Sequence, residues 1–222
     1  MNEPVTVQIV SDFVCPWCFV GKRRLEKALA TRPDCAVKID WLPFQLSPDM
    51  PREGKLRRQH YAEIFGEDRA ELIMANMRDT GVDEGIAFSA SQTAMSPNTL
   101  LAHSLVFRSS ADPAIDINDL TERLFVAHHE QSLDLGNPEV LADIAAEAGI
   151  NRRDVLADLV AGTYGPAVEQ LLEQVRASQV SGVPFFVLNG RLALSGAQPV
   201  EVLLQAFDQA LEGSPAESGT PG

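Results

Sequence analysis

The first regular pattern along the chain is Val5-Thr6-Val7-Gln8-Ile9-Val10, β-branched and alternating, which predicts a strand. Ser11-Asp12-Phe13-Val14 leads to Cys15, and from about Pro16 to Ala30 the period becomes helical. Cys18, Leu25 and Leu29 share one face of that helix, with Lys22, Arg23, Glu26 and Lys27 on another. Pro33 and Asp34 break it. Residues 35–42 alternate again, giving a second strand that begins at Cys35. The opening is therefore a βαβ unit with a parallel pair.

A turn-rich stretch from Pro43 to Gly54 precedes a long helical region. Helices are predicted over 55–65 and 67–80, then a polar connection from Gly81 to Met95, then a helix starting at Ser96-Pro97 with the serine as cap. Further helices fit 114–130, 138–148 (capped by Asn137), 152–161 and 166–179. Strands return at 184–188 and 191–195 around Asn189-Gly190, a strong hairpin signal, and an amphipathic helix runs from Pro199 to about Leu211. The layout is βαβ, a helical block, then ββα. This predicts an α/β domain from residues 1–54 and 180–212, a large all-helical insertion over 55–179, and a disordered Gly/Ser/Pro-rich tail over 213–222.

Composition narrows the function. The 222 residues are 45% hydrophobic and 22% charged, as expected of a soluble globular chain that can bury a sizeable core. A net charge of -13 repels a phosphate backbone and argues against nucleic-acid binding. The clusters Lys22-Arg23-Arg24 and Arg57-Arg58 read as solvated helix faces. No run reaches the roughly 18 apolar residues of a membrane helix, and Met1 to Pro4 lacks a basic signal-like region, so a cytoplasmic location is expected. Three cysteines are too few to staple a secreted scaffold. A close pair among them points to chemistry.

That pair is Cys15-Pro16-Trp17-Cys18. Cys15 lies at a strand-to-helix junction, where partial positive charge and free N–H groups favour a thiolate. Pro16 sacrifices no hydrogen bond at the first helical position. Cys18 falls back on the same side, within reach of the first sulfur. Cys15, read as the more exposed, would attack a substrate disulfide, and Cys18 would resolve the mixed disulfide. Two alternatives compete: half of a zinc site, for which no second pair with ligand spacing exists, and a pair of ordinary buried cysteines. No metal and no nucleotide cofactor is implied, because no phosphate-binding Gly-rich loop appears.

A second element is found in Val180-Ser181-Gly182-Val183-Pro184. An X–Pro bond tolerates cis readily. A cis-proline here would expose the backbone of Val183 for β-type pairing with a peptide or with glutathione, while a plain trans proline opening an edge strand is the alternative.

Taken together, Ser11-Asp12-Phe13-Val14-Cys15-Pro16-Trp17-Cys18-Phe19-Val20-Gly21-Lys22, Gly182-Val183-Pro184-Phe185-Phe186 and Ser195-Gly196-Ala197-Gln198-Pro199 resemble the FrnE-like branch of the DsbA family. The resemblance extends to Pro97-Asn98-Thr99 and Ala102-His103 in the helical block. It implies a thioredoxin-like fold interrupted by helices, Cys15 as nucleophile, Cys18 as resolving cysteine and Pro184 as the cis-proline. One departure matters. Periplasmic DsbA oxidants carry histidine where this chain has Trp17, and an uncharged indole does not carry over their strongly oxidising character.

Several other residues are candidates. Asp12 could tune proton chemistry at the pair, or cap a turn. His103 could approach the site from the helical block, or simply pack. Gly196, Ala197 and Gln198 precede the last helix and would offer free N–H groups to a glutathione carboxylate, or only cap that helix. Phe13, Trp17, Phe19, Phe185 and Phe186 would surround the sulfurs, with Trp17 at the surface as a substrate contact. Cys35 reads as a small buried hydrophobe.

The leading reading is a thiol–disulfide oxidoreductase acting on protein, peptide or small-molecule disulfides and thiols, with glutathione as a candidate partner, as monomer or homodimer. A second is a glutathione-dependent isomerase or transferase resembling kappa-class and hydroxychromene-carboxylate isomerase relatives, which typically carry serine where this chain has Cys15. A third is a non-enzymatic redox-sensing or chaperone-like binding protein.

Overall fold

The computed structural model describes residues 4–33 and 35–212, and β1 (Val5–Ser11) lies at the centre of its four-stranded sheet. The predicted parallel partner is β2 (Val37–Pro43), in a register that sets Val7 opposite Ile39. On its other side β1 runs antiparallel to β5 (Phe185–Leu188), which forms a hairpin with β6 (Leu192–Ser195). Asn189 and Gly190 turn that hairpin at φ 49° and 65°, the left-handed region that an Asn-Gly pair enters at little cost.

Helix α1 (Pro16–Ala30) joins β1 to β2, with Cys15 at its N-cap and proline in its first turn, as the sequence predicts. The last helix, α9 (Val200–Glu212), buries Leu203, Ala206, Phe207 and Ala210, a stripe at i, i+3, i+4 and i+7. That stripe packs with Leu25 and Ala28 of α1 and with Val5, Val7 and Ile9 of β1 into one core.

Between β2 and β5 come β3 (Lys55–Leu56), α2 (Arg57–Phe65), α3 (Glu67–Glu84), β4 (Met95–Ser96), α4 (Leu100–Ser109), α5 (Ile117–His129), α6 (Pro138–Glu147), α7 (Arg152–Ala161) and α8 (Gly165–Ala177). Leu105, Leu120, Leu124, Phe125, Leu141 and Val155 from this block form a second core with Cys15, Cys18, Phe19 and Val20. Helix α1 thus has two buried ends. Leu25 and Ala28 belong to the sheet core, Phe19 and Val20 to the helical one.

Local differences from the sequence reading have physical causes. Lys55 and Leu56 pair with Ser96 and Met95 rather than opening a helix. Ser96 is therefore a strand residue, and α4 begins later, where Asn98 Oδ1 accepts the Leu100 N–H at 3.0 Å. Helix α3 continues past Gly81, which lies flush against Phe88, and stops after Glu84, where Gly85 takes the left-handed C-cap conformation at φ 73°. Asp116, not residue 114, starts α5 by accepting from Asn118 and Asp119, whereas Asn137 caps α6 as read. Cys35 lies just before β2 and is half-buried. The tail over 213–222 lies outside the described residues.

Arg58 is a solvated residue as read, 61% exposed, but the rest of the basic clusters is not. Lys22 is only 3% exposed, held by Glu26 and by Glu122 of α5. Arg24 pairs with Glu84 of α3 at 2.6 Å. These contacts tie α1 to the helical block through charges that a single-helix reading leaves facing water.

Candidate active site

The turn from β1 into α1 is held by its own backbone. Cys15 N–H donates to Asp12 O at 3.0 Å, and Cys18 N–H donates to Cys15 O at 3.1 Å. Cys15 takes an extended conformation, φ -84° and ψ 112°, before the chain enters the helix. The proline at N1 has no N–H to satisfy. Both cysteines are free thiols, and both are buried, at 3% for Cys15 and 2% for Cys18. The expected contrast in exposure is absent because Cys15 is roofed by a second segment of chain.

That segment is the loop before β5. The Val183–Pro184 peptide bond is cis. The Cys15 thiol meets Val183 O at 3.7 Å, and the Val183 N–H has no hydrogen-bond partner among the described residues. Gly21 permits the approach: a Cβ there would stand 3.0 Å from Pro184 Cγ and 3.2 Å from Phe186. Burial pushes the Cys18 thiol well up from its ordinary value, and Cys15 beside it adds to the rise; the Ser11 hydroxyl and the Asp12 backbone oppose it.

Trp17 stands at the surface, 42% exposed, directly before Cys18 and two residues after Cys15. Phe13 and Phe19 share the core of the two cysteines, while Phe186 belongs to the sheet core.

Asp12 and His103 lie behind the turn. The Asp12 carboxylate is buried, its Oδ2 accepts the Leu46 N–H at 2.8 Å, and its Oδ1 is 3.6 Å from His103 Nε2. His103 Nε2 is 2.9 Å from Phe44 O, an acceptor only, so this nitrogen carries the hydrogen. The ring also packs on Phe13 at 5.0 Å between centroids. His103 is therefore part of the support for the Asp12–Phe13 turn and does not face a substrate groove.

Gly196, Ala197 and Gln198 do lie beside the proline loop, but two of the three expected donors are already used, leaving only the Ala197 N–H without a partner among the described residues. Gly196 N–H donates to Pro184 O at 2.8 Å and Gln198 N–H to Gly196 O at 2.9 Å. Ala197 O accepts from Arg24 at 2.7 Å. Closing the hairpin onto the loop uses the Gly196 N–H, and a local turn uses that of Gln198. The stretch braces Pro184 more than it presents a carboxylate site.

Sequence reading missed one group altogether. Arg57, Tyr61, His128 and His129 converge beside Asp12 and Val14. Burial drives His128 well below the ordinary imidazole value and His129 down to about 3, with the Arg57 charge opposing protonation of each. Burial likewise pushes Tyr61 up to about 12. The adjacency of His128 and His129 was visible, but no periodicity shows that α2 brings Arg57 against them.

A sheet of this topology with a Cys-x-x-Cys pair at the head of its first helix is a thioredoxin-like arrangement. Residues 6–208 match the DSBA-like thioredoxin domain, and the chain belongs to that family of thiol–disulfide oxidoreductases. A probable DsbA oxidoreductase from Streptomyces coelicolor, SCO1869, is 28% identical, with a TM-score of 0.82 over 97% of this chain and 94% of its own. YwbO of Bacillus subtilis, an uncharacterized protein, is 24% identical over 209 residues, covering 91% of this chain and 96% of YwbO. The cytosolic disulfide reductase DsbM from Pseudomonas aeruginosa shares the fold, with a TM-score of 0.63 at 17% identity over 94% of this chain and all of its own. Among the described residues no helix is long and apolar enough to cross a membrane.

Proposed function

We propose that the protein exchanges two electrons between the Cys15/Cys18 dithiol and the disulfides of peptides or small thiol compounds, glutathione among them. The observation that carries this reading is the meeting of the Cys15 thiol with Val183 O at 3.7 Å, beside an unpaired Val183 N–H. An extended substrate that pairs with the Val183 backbone brings its sulfur over Cys15. The Cys15 thiolate attacks that sulfur and releases one thiolate. Cys18 then attacks the Cys15 sulfur, closing the protein disulfide and releasing the other half. Cys15 is the nucleophile because it sits at the helix N-terminus, whereas the raised Cys18 thiol reacts second.

The motif around Cys15-Pro16-Trp17-Cys18 supports assignment to the FrnE-like branch. The small number of cysteines supports work in a reducing cytoplasm. DsbM has been crystallised with glutathione, which favours glutathione as the first partner to try.

The deciding experiment is the equilibrium reduction potential of the pair in glutathione buffers, with Cys18→Ala as control. A reversible two-electron transition that the variant loses is expected. Its absence in the wild-type protein overturns the reading. The midpoint also gives the direction of flow, since about 30 mV in this couple is about 1.4 kcal/mol.

A further inference from the structure

A cavity of about 280 Å3 opens beside the turn that carries Cys15, with Asp12 and Val14, the flanking residues of that turn, in its wall. Its other walls come from the helical block, among them Arg57, Tyr61, Ile64 and His129. None of these four belongs to the backbone groove of Val183.

Two donors in this wall lack an acceptor that would satisfy them. Arg57 uses one nitrogen, Nη2, which donates to His128 O at 2.9 Å and lies 3.2 Å from His128 Nε2. Its Nε and Nη1 donate to nothing among the described residues, and no carboxylate there forms an ion pair with it. His128 and His129 are held neutral, so neither adds charge. Tyr61 keeps its phenolic proton, and its hydroxyl too has no hydrogen-bond partner among the described residues. The one carboxylate in the wall, Asp12, has Oδ2 occupied by Leu46 N–H, while Oδ1 has no hydrogen-bond partner among the described residues and lies toward His103 at 3.6 Å.

A mostly buried guanidinium without a counter-ion is costly unless an anion completes it. Its free Nε–H and Nη1–H groups are charged donors suited to a carboxylate oxygen. The remaining wall is mostly apolar, with Val14, Ile64, Phe65 and Met77 outweighing Ser47, His60, Ser96 and Thr99. Both features describe one kind of ligand.

We propose that this cavity is the subsite for a small disulfide carrying a carboxylate on an apolar body, with the carboxylate on Arg57 and Tyr61 and the sulfur presented to Cys15. The proposal rests on the oxidoreductase reading and names its substrate class. The Cys15 thiolate attacks one ligand sulfur, the ligand S–S bond breaks, and one half leaves as thiolate. The Cys18 thiolate displaces the second half from Cys15. The ligand gains the two electrons that the dithiol loses, and the two thiol protons pass to the released thiolates or to water. Excess low-molecular-weight thiol restores the dithiol.

The test is stopped-flow oxidation of the reduced protein by dithiobis-nitrobenzoate, an aromatic disulfide with two carboxylates, and by uncharged dithiodipyridine. The readout is the ratio of their rate constants, at high salt to screen long-range steering. Arg57→Gln is expected to lower that ratio about tenfold or more. Tyr61→Phe, which removes only a hydroxyl, lowers it by a smaller factor, and Arg57→Lys restores part of the loss. A ratio unchanged in both Arg57→Gln and Tyr61→Phe overturns the subsite; if Arg57→Gln does not fold, Tyr61→Phe alone decides. Failure of the wild-type dithiol to reduce either disulfide overturns instead the oxidoreductase reading beneath it.

Discussion

The Cys15 thiol lies 3.7 Å from the carbonyl oxygen of Val183, a residue 168 positions further along the chain. The contact joins the head of α1 to the loop before β5. It makes one site from the two segments that flank the whole helical block. On the proposed function each flanking segment carries half of the chemistry: sulfur from one, substrate-pairing backbone from the other.

The order of the two sulfurs can be read directly. Cys18→Ser is expected to accumulate a mixed disulfide with oxidised glutathione at Cys15, seen as one added glutathione by mass spectrometry. Cys15→Ser is expected to accumulate none. In the wild-type protein, resolution of the mixed disulfide should keep accelerating as pH rises into the alkaline range, because burial holds Cys18 above its ordinary value. Adduct formation at Cys18 in preference to Cys15 would reverse the assignment.

Gly21 is where α1 meets the proline loop. Gly21→Val drives a branched side chain into Pro184 and Phe186, which a Cβ alone would already approach to 3.0 and 3.2 Å. A stability loss of about 1–3 kcal/mol in urea denaturation is expected. Exchange should slow as well, since the loop must shift away from Cys15.

His128 and His129 set an acid limit on stability. Their folded values lie below the ordinary 6.5, His129 at about 3. Between those values the unfolded chain binds protons that the native chain does not, so stability falls as pH drops from about 6.5 towards 3. Each group contributes a slope of up to about 1.4 kcal/mol per pH unit. His129→Phe preserves the stacking with Phe19 and Phe125 and the edge contact with Phe88. Guanidinium unfolding measured across this range should show a shallower slope in the variant, and an unaltered slope would remove His129 as a contributor.

Asn189 joins three parts of the sheet domain. Its Oδ1 accepts the Thr6 N–H at 2.9 Å, its Nδ2 donates to Ala210 O at 3.1 Å, and its φ is 49°. Asn189→Ala loses both hydrogen bonds and places a less tolerant residue in the left-handed region. A cost of about 2–3 kcal/mol is expected in equilibrium unfolding. Asn189→Gly should cost less than alanine does if backbone strain is a substantial part of it.

The sequence by itself determined what short-range chemistry can specify. The alternation of Val5–Val10, Pro16 at the head of α1, the Asn137 cap and the Asn189-Gly190 turn each encode a backbone conformation in a few adjacent residues. They were therefore legible, and with them the position of the Cys-x-x-Cys pair at a strand–helix junction. Only the tertiary structure decided which side chains leave water and what they meet there. Lys22 and Arg57 carry the same charge signature as any solvated lysine or arginine. Their burial follows from Glu122 and His128, about 100 and 71 residues away. The Gly196 donor was consumed by closure of the hairpin onto Pro184, and the equal burial of Cys15 came from Val183 folding over it. Backbone preference is a local property of the chain, whereas burial and pairing belong to partners that only packing brings together.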